Sequence, residues 1–223
     1  MRETTNRTRR LTLMAMIAAM AYVVMLVVRI PIFPAASFLK YDAKDVIIAI
    51  GGFMLGPVPA ALISLLVSLL EMITVSESGF IGMFMNVLST CAFVVPAAWL
   101  YHRKRSLKNA VIGLGTGVIL MTLFMLAWNY IVTPLYMGYP REAVAAMLLP
   151  VFLPFNLLKG SLNAGFTMLL YKPLSFALQR GKLALPEAGS ARAPRKFNPS
   201  ATIVSILVVV TCVMLFYLIS IQK

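Results

Sequence analysis

The chain has 223 residues, 61% of them hydrophobic and only 12% charged, with a mean hydropathy of +0.90. That composition excludes a soluble domain, and at about 20 residues per span it supplies six or seven membrane helices joined by short loops. A net charge of +13 would suit a nucleic-acid binder, but fourteen of the 20 Lys and Arg fall in three groups flanking alternate loops, so topology explains them and no nucleic acid is implied.

The groups are Arg2, Arg7, Arg9 and Arg10; Arg103, Lys104, Arg105 and Lys108; and Lys172, Arg180, Lys182, Arg192, Arg195 and Lys196. The positive-inside rule places the amino terminus, the central basic loop and a late linker on the cytoplasmic side. Asp42, Asp45, Glu71, Glu77 and Glu142 then fall outside.

A first helix is expected over residues 11–30, retained because no small-residue cleavage site precedes the charged turn at Arg29. Ala15 and Ala19 form a small-xxx-small pair that would let another helix approach, although ordinary membrane-helix alanine explains them too. Pro31, Pro34 and the cluster from Lys40 to Asp45 read as an outer loop. Asp42 and Asp45 precede an apolar run, where N-caps and first-turn acids belong, so capping is their expected role ahead of ligand contact. A short helix over 46–55, containing Gly51-Gly52, ends at the turn Gly56-Pro57-Val58-Pro59 and leads to a third helix over 60–74. Glu71, Ser76, Glu77, Ser78 and Gly79 read as a wet outer loop over 71–82, with no histidine or nucleophile beside the acids to make a catalytic set.

A fourth helix, over 81–101, holds Asn86, an expected interhelical hydrogen-bonder, and a kink at Pro96. A fifth, over 110–132, carries Gly113, Gly115 and Gly117, with Trp128, Asn129 and Tyr130 near its outer end. Trp128 and Tyr130 fit an interfacial aromatic belt, whereas Asn129 does not. Thr133-Pro134-Leu135-Tyr136, Gly138 and Pro140 follow as an outer loop. Cys91 and Cys212 lie in separate spans as buried thiols, and the single histidine, His102, sits in the basic loop, so no metal site is supported.

The sixth helix holds Pro154-Phe155-Asn156-Leu157-Leu158-Lys159-Gly160. If it begins near Leu149, Lys159 lies about 15 Å along the axis, close to the middle of a hydrocarbon layer about 30 Å thick. A lysine there costs roughly 2.5 to 3.5 kcal/mol unless it faces a cavity and finds a partner. Asn156, three residues before, and Asn163, four after, share its helix face, and this polar stripe is read as the wall of a ligand site. Beyond Tyr171-Lys172-Pro173 the expected organisation is a six-helix membrane substrate-binding domain over 1–180, a flexible basic linker over 181–200 and an added membrane helix over 201–223. No GxxxxGK[ST], GxSxG or HExxH pattern is present, so the chain has no visible means of hydrolysing ATP.

Taken in order, Lys40-Tyr41-Asp42-x-x-Asp45, Gly51-Gly52-Phe53-x-x-Gly56-Pro57, Asn86, Trp128-Asn129-Tyr130 with Thr133-Pro134-Leu135-Tyr136, and Pro154-Phe155-Asn156-x-x-Lys159-Gly160 resemble the riboflavin-specific substrate-binding subunits of energy-coupling factor (ECF) transporters. The likeness covers residues 11–178 and is most specific in the last block and the Asn-Tyr of the fifth helix. It implies an all-α, six-helix membrane S-component that captures riboflavin or a close flavin from outside, with riboflavin as cargo and no resident cofactor. By the same analogy Asn129, Asn156 and Lys159 contact the ligand, and Leu39 and Tyr41 in the first outer loop cover it. Ala15 and Ala19 would meet a membrane coupling subunit, with two ATPase subunits supplying the energy in a bacterial cell membrane. The seventh apolar segment lies outside this pattern. An S-component for another vitamin, a passive facilitator and an integral membrane enzyme are the competing readings; the last would need an acid, histidine or metal set that the sequence does not show.

Overall fold

The architecture follows from where proline and glycine interrupt otherwise continuous apolar helices. A computed structural model describes residues 2–31, 39–76, 78–180 and 199–221, so the expectations for Pro34, Glu77, most of the linker and Lys223 lie outside the described residues. Helix α1 (Arg2–Val27) starts within the basic head rather than after it, since nothing there breaks a helix. It stops before Pro31, which disfavours helical backbone at the residue preceding it. Part of the expected outer loop is instead a hairpin, β1 (Arg29–Pro31) against antiparallel β2 (Lys40–Asp42), pairing Arg29 with Asp42 and Ile30 with Tyr41.

Helix α2 (Lys44–Leu55) has 12 residues, all buried. At 1.5 Å per residue it reaches only about 18 Å, short of the roughly 30 Å hydrocarbon layer. It is therefore an inner element, packed on α1 and on the helices that follow. Gly56, at φ 103°, makes the turn that a side chain would resist, and Pro57 opens α3 (Pro57–Thr74). Glu71 is thus in the last turn of α3 and buried, not on a wet loop. Helix α4 (Gly79–Arg103) runs through Pro96 and includes His102, whose Nε2 lies 3.2 and 3.1 Å from the carbonyls of Gly52 and Phe53. The histidine of the expected basic loop thereby ties down carbonyls at the end of α2.

Helix α5 (Leu107–Met137) continues through the stretch 133–136 expected as loop and ends at Gly138, whose φ of 69° is a left-handed terminus. Gly113 and Gly117 face α4 so closely that a Cβ at either would press on the backbone of Ala97 or Phe93, whereas Gly115 faces open space. The sixth span begins eight residues before Leu149, as α6 (Arg141–Met147), widens into a π turn at Leu148–Phe152 and continues as α7 (Leu153–Arg180). Pro150 lies in that turn, where its missing N–H favours departure from the regular ladder.

Among the described residues five helical stretches are long and apolar enough to cross a membrane: α1, α3, α4, α5 and α6 with α7. Together with α2 they make the six-helix bundle. The extra segment forms α8 (Pro199–Ile221), which packs on α7 where Gly165 leaves room for Val209. Its Cys212 is buried, while Cys91 is only half-buried; both thiols are free.

Candidate functional site

Six charged side chains meet where β1, β2, α2, α3 and α7 converge. Lys44 and Asp45 open α2 because the helix starts inside the protein, so their charges arrive in the interior with it. Lys44 bonds the carboxylate of Glu71 and stands 3.9 Å from Asp42, and Arg29 stands 3.9 Å from Glu71. Lys159 reaches from α7 to donate to Asp42 at 3.1 Å, with Asp45 at 3.9 Å. In the ion pairs among the described residues, three cations face three carboxylates, and such pairing is how a low-dielectric interior tolerates them. Burial alone would raise the Asp42 carboxyl, yet the Lys159 and Lys44 ammoniums hold it below the usual carboxylate range.

Polar neighbours extend this network. The hydroxyl of Thr90 donates to Asp45 at 2.7 Å, the amide of Asn163 donates to its other oxygen at 3.3 Å, and the Tyr41 hydroxyl donates to Asn163 at 3.0 Å. Asp45 is a first-turn acid of α2 as expected, but neither it nor Asp42 caps the helix, which has no side-chain cap, and both acids join the charge network. The apolar run of α2 ends too soon to span, and that was the available signal that the charges before it lie inside.

Beside the network lies a cavity of about 350 Å³, within the range of roughly 300–1,000 Å³ usual for small-molecule sites. Asn129 of α5 and Asn156 and Lys159 of α7 line it, with Leu39 at the hairpin. Both amides are held in place: Asn129 donates to the Met125 carbonyl and Asn156 to that of Phe152, each at 2.7 Å, and Asn129 accepts from Thr133 at 3.0 Å. Each NH2 keeps a second N–H, and Met125, Met85 and Phe155 supply apolar wall. Lys159 is ion-paired and only 7% exposed, yet it borders open space rather than being sealed off.

Tyr41 stands apart from the other residues singled out. It faces away from the cavity while its strand neighbours Lys40 and Asp42 line it, because successive side chains of a strand alternate sides. Asn163 likewise lies behind the wall. The sequence reading missed Arg29, Lys44, Glu71 and Ser89, and took Asn86, which lines the cavity, for a helix-helix contact. Ala15 and Ala19 do not line the cavity and are exposed on α1.

Residues 9–171 match the family described as the substrate-specific component of ECF transporters. The chain is 30% identical over 182 residues to the riboflavin transporter RibU of Streptococcus thermophilus, covering 78% of this chain and 86% of that one. It is 31% identical to the RibU of Staphylococcus aureus, covering 78% and 95%, and 26% identical to the riboflavin transporter FmnP of Bacillus subtilis, covering 69% and 85%. A solved structure of the S component of a bacterial ECF transporter superposes with a TM-score of 0.65 at 30% identity, over 78% of this chain and 99% of that one.

Proposed function

This chain belongs to the substrate-specific components of ECF transporters, and from that membership we propose that it captures riboflavin, or a close flavin, in the cavity between the hairpin and helices α4, α5 and α7. The observation that carries the proposal is the pairing of an apolar hollow with fixed donors and acceptors at Asn129, Asn156 and Lys159. A flavin is an apolar ring system with a polar imide edge and a polyhydroxyl tail. Amides offering both donor and acceptor suit the imide edge, and an ammonium suits carbonyl or hydroxyl oxygens. The riboflavin transporters among its relatives support the choice of vitamin.

In this reading the chain turns over no substrate. It faces outward to load, with its amino terminus in the cytoplasm, and docks through Ala15 and Ala19 of α1 on a membrane coupling subunit. Two ATPase subunits drive its reorientation and the release of vitamin inward. The exposure of both alanines on one face of α1 supports that contact.

Protein purified from riboflavin-supplemented cells should carry flavin absorbance, and added riboflavin should lose fluorescence on binding. A colourless preparation that leaves riboflavin fluorescence unchanged would overturn the assignment. A competition panel of other vitamins separates a flavin site from an S-component site for a different cargo.

A further inference from the structure

Strand β2 does two jobs at adjacent residues. Lys40 and Asp42 face the cavity, and Arg29 sits opposite Asp42 on the same side. Tyr41 turns to the back of the strand, where it is 6% exposed and packs in one cluster with Phe155, Leu158 and Leu162 of α7 and Cys212 of α8. Its hydroxyl is bonded to Asn163. Phe155 is shared, since it belongs to this cluster and also lines the cavity. Among the described residues the three-residue strand pairs with β1 alone, so this back-side anchor, together with the ion pairs of Asp42 to Lys159 and Lys44, holds the front-side residues in register.

Helix α8 closes that anchor from beside α7. At Gly165 a Cβ would come within 2.8 Å of Val209, so the glycine lets α8 lie close against α7, and Cys212, one turn along from Val209, reaches the Tyr41 cluster. The segment begins well after residue 171, where the family match stops, so it is an addition to the shared core.

We propose that α8 forms the third side of the socket holding Tyr41 and, by fixing β2, sets how long the ligand stays in the cavity. The proposal rests on the assignment of that cavity as the flavin site. For the ligand to leave, the hairpin must lift, and lifting it draws Tyr41 out of a packed, hydrogen-bonded seat. A looser seat lets the hairpin lift more readily, so α8 governs release and does not slow entry, and Tyr41 and Cys212 are positioning residues that do not line the cavity.

Stopped-flow riboflavin fluorescence on the full chain tests this. Cys212→Trp, which overfills the socket, and Gly165→Leu, which pushes α8 outward, should each raise the dissociation rate about tenfold with an association rate no lower than wild type. Val210→Trp, on a half-exposed position of the same helix, should change neither rate. Folded socket variants that release riboflavin at the wild-type rate overturn the proposal. Should those variants not fold, alkylation of Cys212 by N-ethylmaleimide in Cys91→Ala protein gives the second reading. Saturating riboflavin should slow labelling severalfold, and equal rates with and without ligand overturn the idea. A wild-type chain that binds no flavin removes the site assignment and this proposal with it, whereas normal binding with unaltered release removes this proposal alone.

Discussion

Lys159 is held by two different demands, and its substitution separates them. It neutralises Asp42 and Asp45, and it presents donors to the cavity. Lys159→Ala should weaken riboflavin binding by about 1.5 to 3 kcal/mol, the usual worth of a hydrogen bond to a charged group, or roughly ten- to a hundredfold in Kd by fluorescence titration. It also leaves two carboxylates with less cation, so the variant should melt lower. Asp42→Asn combined with Lys159→Met should recover part of that loss in Tm without recovering affinity, because an apolar replacement of a buried pair costs less than breaking it. Asp42 adds a pH signature. Its folded pKa is depressed, so its contribution is complete above the ordinary carboxylate value near 4 and is lost as pH falls through the lower folded value. The Tm gap between wild type and Asp42→Asn should hold steady from neutral pH to about 5 and narrow below about 4.

Helix α5 shows how three glycines of one type divide into different roles. Gly117 and Gly113 let α5 lie against the backbone of α4, while Gly115 meets nothing within 4 Å. Gly117→Val should lower Tm strongly and, by shifting the helix that carries Asn129, weaken ligand binding; Gly115→Val should do neither. The outer face of α1 is the opposite case, an element whose exposed residues serve no internal packing. Ala15→Leu with Ala19→Leu should leave riboflavin affinity of the isolated chain unchanged and abolish uptake in cells. Uptake at the wild-type level would show that this face does not meet the coupling subunit.

On the scale of the whole molecule, the bundle binds but contains no pattern for ATP hydrolysis. Liposomes holding this chain alone should therefore bind riboflavin without accumulating it against a gradient, and accumulation should appear only with coupling and ATPase subunits present. Uptake by the chain alone would favour a passive facilitator. Composition, hydropathy and the charge groups were enough to determine a multi-span helical membrane protein, because backbone groups in a bilayer must be bonded within the protein, as helices and closed barrels allow, and uninterrupted apolar runs of about 20 residues fit the helix. Local order along the chain singled out the stripe of Asn156, Lys159 and Asn163 and left Asn129 unexplained, since a polar residue in an apolar run is conspicuous, whereas grouping Asn129 with Asn156 and Lys159 came from the family resemblance. What lay beyond the sequence were the partners. Asp42 and Lys159 are 117 residues apart and Tyr41 and Asn163 are 122 apart. Nothing local says that Glu71 turns inward to Lys44, that Tyr41 stands behind the wall its neighbours line, or that α8 closes the socket around it. Those relations depend on how a helix too short to cross the bilayer is buried at the centre of the bundle and brings its charged end inside.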